Sequence, residues 1–327
     1  MSVFTPLTDQ DIRLFLDNFN VGTLVHCAGI DGGSENTNYF VDTRTENGND
    51  QSFVLTLVER PVQDLGFFIG LLACLHQANL PVPYSLEDRD SRPLHEIKGR
   101  PALLQPRLPG RHPDRPCSEQ CASLGQLIAA LHDASSANNL QRKNDRGPDW
   151  VLNNAGKLLA TIWQNDAVWL IPALTQLQHW FAKAPALPQT VIHGDLFRDN
   201  VMFQDTTVSG VIDFYNAATG WTLMELAICV NDWCVDISDS GVFSIDTERA
   251  RALINAYDMR RPLDADERAS WPYVLQLAAL RFWVSRQHYV IAHQGQAGVL
   301  IKDPAYFRQL FMLHARDAGT NLLLLPR

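Results

Sequence analysis

The stretch VIHGDLFRDNVMFQDTTVSGVIDF, residues 191–214, carries a histidine, several aspartates and an asparagine through segments that otherwise read as buried β-structure. VIH, VMFQ and VSGVIDF have the apolar runs of short strands, and HGDLFRDN between the first two reads as a loop. Polar groups in such a setting need a reason, because unpaired buried carboxylates and imidazoles are costly. Phosphoryl transfer supplies one. It asks the protein mainly to hold nucleotide, metal and acceptor in line and to offset negative charge. Asp195, on a loop just after a strand, suits acceptance of a proton from an acceptor hydroxyl. Asn200, five residues on, suits an amide oxygen ligand to Mg²⁺, and Asp213 suits a second ligand to the same ion. The turn DTTVSG would bring Asp213 back beside Asn200. Each residue alone reads as a turn cap, or for His193 as a satisfied core histidine; the ordered set is what points to chemistry.

Outward from this stretch the chain changes character. Toward the N-terminus, LTDQDIRLFLDNF places Ile12, Phe15, Leu16 and Phe19 at helical spacing behind a cap at Thr8 or Asp9. VGTLVHCAGI, NTNYFVDT and QSFVLTLVE follow as three strands, the last two joined by TENGND with its Asn-Gly hairpin chemistry. Residues 62–80 have a helical pattern, and RPLHEIK and RPALLQPRL form two further strands around Lys98-Gly99. Prolines, a glycine and polar residues cluster at 105–116, which sets a boundary there: lobes of 1–105 and 106–327. Beyond it the spacing predicts helices from a cap at Ser118 and near 150–163, 170–183, 222–235, 246–258, 270–293 and 304–318. The expected fold is α+β and bilobal, a small antiparallel-sheet N-lobe and a mainly helical C-lobe containing one β island.

Bulk properties narrow the function classes. With 327 residues, 46% apolar and 19% charged, the chain is neither disordered nor fibrous. No apolar run approaches the roughly 18 residues of a membrane span, and MSVFTPLTDQD lacks the order of a signal peptide, so a cytoplasmic protein is expected. A net charge of −9 gives no basic footprint for nucleic acid or anionic lipid. Six cysteines without a CxxC pair read as buried thiols, and Cys117 with Cys121 lacks the further ligands of a zinc site.

HGDLFRDN together with VIDF resembles the catalytic and metal loops of the aminoglycoside phosphotransferase and choline kinase family, small-molecule relatives of the protein kinases. The resemblance implies a protein-kinase-like fold, ATP and Mg²⁺, Asp195 as base, Asn200 and Asp213 as metal ligands, and His193 and Arg198 as members of the catalytic loop. It extends to GGSENTNYFV, residues 32–41, which looks like that family's nucleotide loop, with Gly32, Gly33, Ser34 and Asn36 toward phosphate. It also extends to GWTLMELA, where Glu225 stands in a place more often given to aspartate. Adenine is then expected near Leu104 and Gln105. The family's third-strand lysine is missing: VLTLVER has Thr56, which cannot replace an ammonium, so metal ions, loop N–H groups, Arg60 or Arg198 would have to offset the phosphates. The phrases VLTLVER, LPVP, VIHGDLFRDNVMF, GVIDFYNA, ICVNDWC and LRFWVSR, in that order, are similar to the kinase-like homoserine kinases of bacterial threonine synthesis, a subgroup with threonine at that strand position.

That similarity implies L-homoserine as the small-molecule partner, a zwitterion whose pocket needs a cation for its carboxylate and an acid for its ammonium. On AALRFWVSRQHYV, Arg281 and Arg286 do not share a strict helix face; Arg281 is the expected carboxylate ligand and Asp232 the ammonium ligand, with Tyr215 and Trp233 as pocket walls. Rival readings are a kinase of the same fold acting on choline, an amino sugar or a hydroxylated amino acid, and a non-catalytic nucleotide-binding module suggested by the absent lysine.

Overall fold

The computed structural model describes residues 4–30, 36–59, 64–294, 302–317 and 324–325. The chain divides into two compact units: Met1–Gly110 with Ser209–Tyr215, and Arg111–Val208 with Asn216–Arg327.

The first unit opens with α1 (Asp9–Leu16). Thr8 caps it reciprocally: its hydroxyl accepts the Asp11 N–H at 3.2 Å and the Asp11 carboxylate accepts the Thr8 N–H at 2.7 Å, so two of the helix's orphan donors are satisfied. Strands β1 (Thr23–Gly29), β2 (Thr37–Arg44) and β3 (Asp50–Leu57) form an antiparallel meander. Its β2–β3 turn places Gly48 at φ 81°, where a side chain would be strained. After α2 (Leu65–Gln77), β4 (His95–Ile97) and β5 (Arg100–Pro106) pair across Lys98 and Gly99, both with positive φ as a tight two-residue hairpin requires. The five strands lie in the order β1-β2-β3-β5-β4, so the late strand β5 pairs with β3. Ile12, Phe15 and Leu16 of α1 pack with Tyr39, Val41, Leu55, Leu57 and Leu104 from the sheet into one apolar cluster.

The second unit begins with α3 (Ser118–Ala137), whose cap is Cys117 rather than Ser118; the Gln120 side chain accepts the Cys117 N–H at 3.1 Å. α4 (Pro148–Leu159) and α5 (Ala167–Phe181) lead to β6 (Gln189–Ile192) and β7 (Val201–Gln204). The chain crosses between units within β8 (Thr207–Val211) and returns to the second at Asn216. β9 (Ala218–Trp221) pairs antiparallel with β6 and feeds α6 (Thr222–Trp233), nearly all of which is buried. A small hairpin of β10 (Val235–Ile237) and β11 (Phe243–Ile245), which the helical spacing did not predict, precedes α7 (Thr247–Asp258). α8 (Ala265–Ala292) starts five residues before the expected position, because Asp264 and Glu267 cap it reciprocally ahead of Pro272. α9 (Ala305–Arg316) completes the described helices. Trp233, Trp271, Trp283, Tyr257, Phe307 and Phe311 are fully buried in this unit, and Trp283 stacks on Trp163 at 3.8 Å. No helix among the described residues is long and apolar enough to cross a membrane.

Candidate active site

β6 runs out at Ile192, and the loop from His193 to Asn200 is folded by contacts of two ranges. The local ones close a turn on one atom: the Asp195 carbonyl accepts both the Phe197 N–H and the Asn200 side-chain amide, each at 2.8 Å. Because Asn200 donates through Nδ2, its Oδ1 is left as an acceptor on a buried side chain. The Asp195 N–H reaches the Nδ1 of His193 at 3.2 Å, which makes that nitrogen the unprotonated one and fixes the tautomer of the buried ring.

The long-range contacts come from α6 and α8. Glu225, only 1% exposed, accepts the backbone N–H groups of His193 and Gly194, the latter at 3.1 Å. Burial pushes its carboxyl up to about 7, against the pull of those two N–H groups and of Arg281. Gly194 sits at φ 75°, and a Cβ there would lie 3.1 Å from the Asn216 carbonyl oxygen, so glycine is needed both for the conformation and for the close approach. Arg281 on α8 is 5% exposed and donates to the Gly194 carbonyl at 2.6 Å.

Asp195 is half-buried, and its carboxylate accepts the Asn216 amide at 3.3 Å; Arg146 donates in turn to Asn216 at 3.4 Å. Burial raises the Asp195 carboxyl to about 6, with Arg281, Lys302 and Arg146 opposing and Asp199 adding to the rise. A carboxylate with a value near the working pH is well matched to accepting a proton from a hydroxyl. Sequence reasoning gave Asn216 no role. It sits in a short 3₁₀ turn, whose spacing carries no helix or strand signal.

The other expected residues divide between the units. Arg198 donates its backbone N–H to Asp232 at 2.8 Å, its Nε to the same oxygen at 3.2 Å and its Nη1 to the Asp114 carbonyl at 3.1 Å. Asp232 is half-buried, and burial raises its carboxyl above the usual range. Trp233 is wholly buried beneath the loop and donates its indole N–H to the Leu196 carbonyl at 3.0 Å. In the first unit, Asp213 has φ 65°, and Tyr215 stacks flat on Phe68 at 4.5 Å. There too Thr56 donates its hydroxyl to Asn38 at 2.7 Å, and Asn36 accepts the Glu59 N–H at 3.3 Å. Leu104 and Gln105 are buried on β5, and the Gln105 Nε2 has no hydrogen-bond partner among the described residues. Gly32, Gly33, Ser34 and Arg60 lie outside the described residues. Cys117 is exposed and Cys121 buried, and the described residues contain no cluster of three His, Cys, Asp or Glu able to cage a metal.

A five-stranded antiparallel sheet in one unit, and in a helical unit a strand-to-strand loop holding an aspartate and an asparagine five residues apart, fit the protein-kinase-like fold. Solved structures share that fold: spectinomycin phosphotransferase in complex with ADP and spectinomycin, at a TM-score of 0.69 and 13% identity over 96% of this chain and 99% of that one. The microcompartment-associated aminopropanol kinase superposes at 0.63 with 17% identity, covering 97% and 99%. Residues 26–268 match the model of the phosphotransferase enzyme family, and the chain belongs to that family. Among curated relatives, the homoserine kinase of Pseudomonas aeruginosa (strain LESB58) is 47% identical over 310 residues, 94% of each chain. That of Methylobacillus flagellatus is 37% identical over 324 residues, 99% of this chain and 98% of its own.

Proposed function

We propose that the protein transfers the γ-phosphoryl group of ATP to the terminal hydroxyl of L-homoserine, giving O-phospho-L-homoserine for threonine biosynthesis in the cytoplasm. The observation that carries the acceptor is the 47% identity to a homoserine kinase along 94% of both chains, since a substrate pocket is built from residues spread over that whole length. The lobes of this reading are 1–105, holding nucleotide, and 106–327, holding catalytic and acceptor groups.

The residues present fit the groups that this reaction needs. Asn200 keeps its amide oxygen available while Nδ2 is bonded, which is the orientation a hard cation requires of an amide; Asp213 is proposed as the second magnesium ligand. Magnesium, when bound, neutralises charge on the phosphate oxygens. The buried Gln105 amide, with an unsatisfied donor beside Leu104, is suited to an adenine acceptor atom. Gly32, Gly33, Ser34 and Asn36 are proposed to lie along the phosphates, and Thr56 takes the strand position of the absent lysine.

Asp195 orients the acceptor hydroxyl and accepts its proton as the oxygen attacks, and Asn216 holds the carboxylate in place for that step. His193 and Arg198 fix the two ends of the loop, the first through the Asp195 N–H and the second through Asp232. Asp232 is the proposed ammonium partner, and Trp233 supports the loop from below. Tyr215 is the proposed aromatic wall. The test is ATP consumption by purified protein with Mg²⁺ against homoserine, choline, hydroxylysine, serine and an aminoglycoside. Turnover with homoserine alone is expected; turnover only with another acceptor, or none with any, refutes the assignment.

A further inference from the structure

Gly194 is held from two sides by buried groups of opposite charge. Its N–H goes to Glu225 of α6 and its C=O to Arg281 of α8, at 3.1 Å and 2.6 Å. The peptide that carries this carbonyl also carries the Asp195 N–H, which is bonded to His193. Both ends of the 194–195 peptide plane are therefore fixed, and the plane's orientation sets the direction in which the Asp195 side chain leaves the backbone. With Gly194 at φ 75° and free of a Cβ, nothing in its own side chain resists a flip of that plane.

Burying a guanidinium in this way is expensive. Arg281 makes no ion pair among the described residues, its Nε has no hydrogen-bond partner among them, and its charge is desolvated. An apolar residue of similar volume would relieve that desolvation, which offsets much of the roughly 1–3 kcal/mol lost when the Gly194 carbonyl loses its donor. A costly buried cation directed at a catalytic-loop carbonyl is better explained by geometry than by stability.

We propose that Arg281 is a positioning residue, which locks the 194–195 peptide by binding the Gly194 carbonyl and so aims the Asp195 carboxylate at the acceptor hydroxyl. It thereby differs from a ligand of the substrate carboxylate, the role its charge alone suggests. The proposal rests on the reading of Asp195 as the base, and it holds for whichever acceptor the wild-type enzyme turns over.

The two roles separate in steady-state kinetics. A carboxylate ligand, when lost, raises the acceptor KM; a residue that aims the base, when lost, lowers kcat. Arg281→Met and Arg281→Lys are compared with wild type for kcat, acceptor KM and Tm. The expected result for Arg281→Met is a Tm within a few degrees of wild type, kcat lower by about 100-fold and acceptor KM within about threefold, since a misplacement of about 1 Å costs on that order. Arg281→Lys, which keeps one charged donor, recovers at least about tenfold of the lost kcat. If Arg281→Met does not fold, the lysine variant decides: a lowered kcat at unchanged KM supports positioning. A rise of tenfold or more in acceptor KM with kcat intact, in either folded variant, overturns the proposal. Failure of the functional reading is recognised separately, because it appears in the wild-type acceptor panel and not in the split between the constants.

Discussion

Replacing Glu225 tests how the catalytic loop is held. Its carboxylate accepts two buried backbone N–H groups, from His193 and Gly194. Glu225→Gln keeps the shape but turns one of the two oxygens into an NH₂ facing a donor. The remaining oxygen can still accept the His193 N–H, but Gly194 keeps only its longer contact of 3.3 Å to it while the amino group faces its N–H, at a cost of about 1–3 kcal/mol. Glu225→Ala removes both acceptors, so the same reasoning gives about 2–6 kcal/mol before any cavity contribution. Glu225→Asp retains the charge but is shorter by one methylene, and α6 is packed on nearly every face, so the helix does not follow; a loss between those of the other two is expected. The measurements are urea denaturation and kcat, both at pH 8, above the value of about 7 to which burial raises this carboxyl, so that the ionised form is the one lost. Some of the penalty relaxes into movement of the loop, and kcat of Glu225→Gln should fall by about 100-fold. A Glu225→Gln enzyme with wild-type stability and wild-type kcat would sink the argument that this side chain fixes the loop.

Further outcomes follow from other residues. Asp195→Asn should lower kcat by about 10²–10⁴-fold while leaving the KM for ATP nearly unchanged; full activity in that variant removes Asp195 from the base role. His132 is buried against the Tyr257 hydroxyl at 3.0 Å, and burial, with Arg261 nearby, lowers its value to about 3. Below about pH 6.5 the unfolded chain binds a proton that the native state refuses, so stability falls as pH falls; between pH 7.5 and 5 this group alone accounts for about 2 kcal/mol. Denaturation of wild type and His132→Asn at both pH values should show that difference in slope, and parallel pH dependences would refute it. Gly125 of α3 lies where a Cβ would come 2.1 Å from the Leu253 carbonyl oxygen of α7. Gly125→Ala should therefore destabilise by about 1–3 kcal/mol or more as the helices are forced apart, and a variant with an unchanged denaturation midpoint would contradict the packing.

Much of the fold was legible because its signals are local. The cap at Thr8, the Asn-Gly turn before β3 and the two-residue turn at Lys98 and Gly99 are satisfied by neighbours within a few residues, and residue type there dictates conformation. The turn that joins Asp195 to Asn200 is of the same kind: its bonds span no more than five residues, so it is fixed by local sequence. The start of α8 was expected near residue 270, and the cap at Asp264 sets it earlier.

What only the tertiary structure decided is depth and direction. Glu225 and Arg281 lie 31 and 87 residues from Gly194 in sequence and meet opposite ends of it. Trp233, expected as a wall of the homoserine pocket, is wholly buried and bonded to the Leu196 carbonyl. A helical period names the residues that share a face, but the same arginine reads as a substrate cation or a backbone clamp until the elements packed around it are known. By itself the sequence named the candidate groups of the loop and their local order. The folded chain decided which charges are desolvated and which backbone atoms they hold, because burial and long-range hydrogen bonding depend on elements brought together from distant parts of the chain.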